Sequence, residues 1–246
     1  MLLRRVTKHV KDQNWFAVSI DFAIVVVGVF VGLQVSNWNA DMAQQSRGEK
    51  IKVRLVAEFK DIESELTRHI QDITTWIGTA DQLAADILAD EVERNTSEFS
   101  DRLSSIRWRP PSGGSNTIAE LISQGDMDIL RSPNLVEELL RFETLAQRHT
   151  SNNLAMRRFI SADRNALSKA SILAAIPLEL RGEEFEQSLI DRVKAPDIYL
   201  ATVSVSDALK IDLLWYQASL DGACNILQEL NDPCSANPDI PGEPQG

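Results

Sequence analysis

Between Phe22 and Leu33 the chain contains only apolar residues and glycine, and the wider segment Trp15–Val35 is apolar at 16 of 21 positions. The exceptions are Ser19, Asp21, Gly28, Gly32 and Gln34. A helix of about 21 residues rises about 31 Å, matching the roughly 30 Å hydrocarbon layer of a bilayer. The run is valine-rich, so by composition alone it also fits a buried strand. Its length, the basic residues before it, and Trp15 and Trp38 near its ends favour a spanning helix. A cleaved signal peptide needs a shorter apolar region and a small-x-small site, and QVSNWNADMA offers no clean one. The expectation is an uncleaved transmembrane helix over residues 15–38.

Charge then orients the span. The chain carries 36 acids and 25 bases, a formal net charge of −11, but the charge is divided unevenly. Arg4, Arg5, Lys8 and Lys11 against Asp12 and Asp21 make residues 1–35 positive, and the remainder holds −13. The basic side of a span stays in the cytoplasm, so residues 1–14 are expected inside and the body outside. In a bacterium with two membranes this means inner-membrane anchorage and a periplasmic body. Leu2, Leu3, Val6 and Val10 form an apolar stripe suited to a short helix on the membrane surface. A strongly acidic body argues against nucleic acid as a partner, because phosphate contacts need positive surface.

Asp21, Val25, Gly28, Gly32, Val35 and Asn39 follow steps of four and three, so they share one face of the span. Gly28 and Gly32 form a small-xxx-small pair that allows close helix approach. Asp21 would cost about 2.5–3.5 kcal/mol near the bilayer centre and less near an interface. Two readings stay open. In one, this face carries homodimerisation or docking on another membrane protein; in the other, the span starts at Phe22 and the glycines are incidental.

Beyond the span, Leu55, Phe59, Ile62, Leu66, Ile70, Ile73, Ile77, Leu83 and Ile87 recur mostly every three or four residues, the stripe of a packed helix. Glu58, Lys60, Asp61, Glu63 and Glu65 fall on the other side, predicting a long helix from about Ala40 to Glu93, continuing the span. Residues 94–116 are rich in Ser, Pro and Gly and read as a loop. Thr117 to Glu120 fits a capping box for a short helix ending near Gly125. Ser132-Pro133 opens another long helix, with a break expected near Ser151-Asn152-Asn153 and an end at Pro177. A short helix is expected over Glu183 to Lys194, and a last one from Pro196 to about Asn231, with proline in its first turn. The run IYLATVSVS has strand propensity, but the spacing of Leu209, Leu213, Tyr216, Leu220, Ile226, Leu227 and Leu230 predicts helix. The fold class expected is all-α: an N-terminal transmembrane helix continuing into an antiparallel bundle of long helices over 39–231. Residues 232–246, with Pro233, Pro238, Pro241 and Pro244, read as a disordered tail.

Two runs, VVVGVFVGLQVSNWN (25–39) and TIAELISQGDMDILRSPNLVEELLRF (117–142), carry a resemblance. The chain resembles an uncharacterised family of small bacterial membrane proteins with one N-terminal span. That family shows a basic start, a Val/Ile-rich span ending in a Gln-x-Ser-x-Trp-Asn-like run, and a downstream Glu-Leu-Ile-Ser-x-Gly element. Here the second element is Glu120, Leu121, Ile122, Ser123 and Gly125, followed by Ile129-Leu130. The resemblance covers about 40 residues and implies a membrane-anchored α-helical body without an established activity.

Few residues invite chemistry. Cys224 and Cys234 are the only cysteines, ten apart. In an oxidising compartment they can form a disulfide that pins the tail to the last helix, worth roughly 2–3 kcal/mol; otherwise they are two free thiols. They are not a Cys-x-x-Cys redox motif. Glu65, His69 and Asp72 share a helix face as metal ligands could, although a solvated charged face is the expected reading. Arg107, Trp108 and Arg109 could form a patch for an acidic or aromatic partner. The alternative is that Trp108 plugs the bundle while its neighbours pair with acids. No HExxH, nucleophile elbow or phosphate-binding glycine loop occurs, so no cofactor is expected and the chain is read as a non-enzyme. The functional expectation is an extracytoplasmic interaction or scaffold module, with a ligand-sensing bundle or an accessory subunit of a polytopic complex as alternatives.

Overall fold

The computed structural model describes residues 15–89, 114–174 and 182–235, and among these every regular element is helical. Among the described residues six α-helices follow in order: α1 (Trp15–Leu88), α2 (Asn116–Gln124), α3 (Pro133–Phe159), α4 (Ser161–Ala174), α5 (Glu183–Val193) and α6 (Pro196–Glu229). A single 3-10 turn, Met127–Leu130, links α2 to α3. The chain divides into two units, residues 1–50 and 51–246, with α1 contributing to both.

In the first unit, α1 carries the one described stretch long and apolar enough to cross a membrane, and none of it is buried. Its apolar side chains point in all directions instead of forming a stripe: Phe22, Ile24, Val27, Val29, Phe30 and Leu33 are all exposed.

In the second unit, α1 changes to a one-sided pattern. Leu55, Phe59, Ile62, Leu66, Ile70, Ile73, Trp76, Ala80 and Leu83 are buried at steps of three or four. They meet Leu135, Leu139 and Phe142 of α3, and Val205, Leu209, Tyr216, Leu220, Ile226 and Leu227 of α6, in one core. The rings of Phe59 and Phe142 meet edge-on at 5.1 Å, the arrangement in which a positive ring edge faces a negative ring face. A Cβ at Gly222 would lie 3.3 Å from Phe142 Cδ2, so glycine lets α3 and α6 approach closely there. As numbers rise along α1 they fall along α6: Lys60 meets Asp232, His69 meets Tyr216, and Asp81 meets Ser206 and Lys210. The same holds for α3, where Phe142 meets Gly222 and His149 meets Asp212.

Local chemistry sets the helix ends. Ser132 caps α3 by accepting from the Leu135 N–H, with Pro133 at the first turn. Gly125 ends α2 at φ 69°, in the left-handed region, while the Asp126 N–H reaches back to the Leu121 carbonyl. The run 198–206 is helical despite its β-branched residues, because Ile198, Ala201, Thr202 and Val205 fall on the buried face. The Thr202 hydroxyl also donates to the Ile198 carbonyl within the helix.

Several expectations need correction. The cap of α2 is Ser115, whose hydroxyl accepts from the Ile118 N–H, and not Thr117. Thr117 is instead buried against α1, its hydroxyl accepting from Arg54 Nε at 2.8 Å. Glu120, cast as the back-bonding partner of a capping box, pairs with Arg54. Helix α3 runs unbroken through Ser151-Asn152-Asn153 because Asn153 points inward to a carboxylate; the break falls at Ile160. Leu154 and Phe159, assigned to the core, are exposed. Glu63 and His69, assigned to a solvated face, are buried. The expected end of the long helix at Glu93, the loop over 94–113 and the tail beyond Ser235 lie outside the described residues.

Candidate functional site

Polar groups inside an apolar core are the feature that packing alone does not explain. In the second unit they gather where α1, α3 and α6 meet. His149 of α3 and Asp212 of α6 are both almost fully buried, and Nε2 of the imidazole lies 2.9 Å from Oδ1 of the carboxylate. The Asn153 amide, one helical turn after His149, donates to the same oxygen at 3.1 Å. The His149 ring stacks on Trp215 at 5.9 Å and meets Tyr216 edge-on at 4.6 Å. Tyr216 in turn touches the ring of His69, on α1, at 5.5 Å. Steps of three and four place Asp212, Trp215 and Tyr216 on one face of α6, and His149 and Asn153 on one face of α3.

This arrangement suits holding three helices in one register. A buried carboxylate is tolerated only with donors aimed at it, and sliding either helix by one turn would strip them away. Both members of the His149–Asp212 pair are sequestered from water, which does not suit proton delivery to a soluble substrate. Among the described residues, no three or more His, Cys, Asp or Glu side chains converge as metal ligands would. His69 does contact Glu65, at 3.4 Å, but its buried ring faces Tyr216.

A second polar junction docks α2 onto α1. Glu58 of α1 accepts from the backbone N–H groups of Asn116 and Thr117 at 2.6 and 3.3 Å, supplying a carboxylate to a helix N-terminus. Arg54, one turn earlier, holds Thr117 and Glu120. Ile118 and Leu121 are buried beneath these contacts. The Glu-Leu-Ile-Ser-x-Gly element is therefore a capped, docked helix: Glu120 takes the arginine, Leu121 enters the core, and Gly125 makes the left-handed turn.

A third junction holds the chain after α6. Cys224 and Cys234 are joined by a disulfide, with Cα atoms 5.1 Å apart. Asn231 turns the chain at φ 60°, and the Ser235 N–H donates to Glu63 Oε1 of α1 at 2.5 Å. Lys60 pairs with Asp232 at 2.6 Å, and the hydrogen bond to that carboxylate raises the lysine above its usual range.

Elsewhere, Met127, Arg131, Pro133, Val136, Glu137 and Leu140 line an open surface groove of about 560 Å³. On the first unit, Asp21, Gly28 and Gly32 are exposed on α1, and a Cβ at either glycine would meet nothing within 4 Å. Arg107, Trp108 and Arg109 lie outside the described residues.

The sequence reading gives no role to His149 or Asp212, and takes Asn153 only as part of an expected helix break. A signal was present. His149 stands seven residues after Phe142, and Asp212 lies between Leu209 and Tyr216, so both occupy apolar-face positions with polar side chains.

The fold and junctions define an all-α body following a long apolar N-terminal helix. No family model, curated protein or solved structure matches the chain.

Proposed function

We propose that this chain is a single-pass protein of a bacterial inner membrane, with residues 1–14 cytoplasmic and an extracytoplasmic antiparallel helical bundle serving as an interaction or scaffold module. The carrying observation is the bare apolar stretch of α1, where eleven large apolar side chains between Ile20 and Val35 are exposed. Leaving each in water forgoes about 1.5–3 kcal/mol, so the stretch forgoes roughly 15–30 kcal/mol. That exceeds the 5–15 kcal/mol of net stability typical of a folded domain, so burial in lipid is the consistent solution. The basic residues at 4–11 and the acidic body support the orientation. Helices whose residue pairings run in opposite directions, tied by buried polar junctions, support a rigid bundle that presents surface to partners.

The open face at Gly28 and Gly32 supports association through the span, either as a homodimer or against a polytopic membrane protein; Asp21 on that face supports the second. Alkaline carbonate extraction tests the anchor: the full chain is expected to stay in the membrane pellet, and release to the supernatant refutes it. Protease added to spheroplasts is expected to digest the body and spare the N-terminus. Purification in mild detergent separates the association readings, since the dimer alone supports the scaffold and a stoichiometric polytopic protein supports the accessory subunit. Gly28→Ile with Gly32→Ile is expected to abolish association in a membrane two-hybrid assay.

A further inference from the structure

We propose that the segment Asn231–Ser235 is a redox-released clasp, in which the Cys224–Cys234 bridge holds the chain after α6 against α1 and its reduction lets that segment go. The bridge joins residues ten apart, one inside α6 and one beyond its end, so it fixes how the chain leaves the helix. What it fixes is contact with another element. Ser235 donates its N–H to Glu63, and Asp232 pairs with Lys60, one turn of α1 away. Glu63 is only 5% exposed, and a buried carboxylate requires donors. Oε1 of Glu63 also lies 3.2 Å from Cys234 Sγ, so the acid, the sulfur and the backbone donor form one junction.

The remaining attachments are weak without the covalent link. Lys60 and Asp232 are both substantially exposed, and such pairs contribute about 0–1 kcal/mol. Asn231 and Asp232 also donate their N–H groups to the Gln228 and Leu227 carbonyls of α6. What reduction frees is therefore the attachment to α1, where a backbone hydrogen bond and one such pair fray readily. The triggering step balances as thiol–disulfide exchange with a dithiol reductant. One thiolate of the reductant attacks a bridge sulfur and releases the other as a thiolate, and its second thiol resolves the mixed disulfide. Two electrons and two protons pass to the protein, leaving Cys224 and Cys234 as thiols and the reductant as a disulfide. The released segment then exposes Glu63 and the end of the α1–α6 seam near Ile226 and Leu227.

Hydrogen exchange with mass detection on the full chain in detergent tests this, comparing the oxidised protein with protein reduced by a phosphine, bridge opening being verified by thiol alkylation. Exchange in peptides covering 58–66 and 225–235 is expected to rise by on the order of tenfold or more, with α3 unchanged and oxidised glutathione restoring the original pattern. Cys234→Ser is expected to reproduce the reduced pattern without reductant. Unchanged exchange over 225–235 after verified reduction overturns the proposal. So does loss of protection throughout residues 51–235, because the bridge would then sustain the whole fold and not a local clasp.

Discussion

Replacing His149 by alanine probes what the buried junction of α1, α3 and α6 contributes. The imidazole and the Asp212 carboxyl are 3% and 5% exposed, so neither partner finds bulk water when the other is removed. Stranding a buried neutral polar group costs about 1–3 kcal/mol, and breaking a buried ion pair from one side costs about 3–5 kcal/mol. Asn153 still donates to Asp212 Oδ1 at 3.1 Å, which offsets part of the loss. The truncated ring also leaves a void against Trp215 and Tyr216, adding a packing cost. The expected destabilisation is therefore about 3–4 kcal/mol if the pair is ionic and about 2 kcal/mol if it is neutral. Urea unfolding of the full chain in detergent, followed by helical circular dichroism, measures it. The double variant His149→Leu, Asp212→Leu removes both polar partners and is expected to recover at least half the single-variant loss. A single-variant loss below about 1 kcal/mol, or a double variant whose loss equals the sum of both singles, would refute the argument that the junction is a desolvated, mutually dependent pair.

Other junctions give separate tests. Gly125→Ala places a side chain at φ 69° and is expected to destabilise by about 1 kcal/mol in the same urea titration, with cost coming from backbone strain because no atom crowds the site. Glu58→Ala removes the carboxylate that caps α2, and the amides of Asn116 and Thr117 are expected to exchange faster, for a loss of about 1 kcal/mol. Arg192 donates to both oxygens of Asp197, at 2.9 and 2.8 Å, and holds that carboxyl below its usual range. A depressed acid stabilises above its unfolded value, about 3.9, and loses that contribution as pH falls through the folded value. Protection factors of the amides at the turn between α5 and α6 are thus expected to fall below about pH 4, with the global midpoint unmoved because the pair is partly open to solvent and contributes little.

Legibility in the sequence followed the physics of each element. The apolar stretch at 22–33 was plain because every residue in it is apolar or glycine, which leaves no periodicity to misread. The starts at Ser132-Pro133 and Pro196 were plain because proline and a hydroxyl cap act within one turn, without tertiary help. The cap of α2 was misplaced by two residues because Ser115 and Thr117 carry the same local signal. Arg54, more than sixty residues away, decides between them by taking Thr117 and Glu120 for α1. The helix break near 151–153 was misplaced for the same kind of reason: Asn152 and Asn153 read as breakers until a carboxylate on α6 takes the Asn153 amide.

The inward placement of Glu63 and His69 has one cause. A helix packed on a single neighbour buries a stripe a little over 100° wide, and Leu55, Phe59, Ile62, Leu66, Ile70 and Ile73 trace it. Glu63 and His69 lie one residue to either side of Ile62 and Ile70, at about 100° from those centres, so a one-neighbour reading puts them in water. Yet α1 here meets α3 through Phe59, α2 through Arg54 and Glu58, and α6 with its following segment through His69, Asp81 and Glu63. Several neighbours widen the buried arc, and the first residues to be enclosed are those flanking the apolar stripe. Those flanking residues are polar, so enclosure demands partners: Tyr216 for His69 and the Ser235 N–H for Glu63. The polar groups that α1 contributes to these junctions thus sit at the margins of its apolar stripe, where periodicity alone assigns solvent and the number of packed neighbours decides, whereas His149 and Asp212 stand on the apolar faces of α3 and α6 themselves.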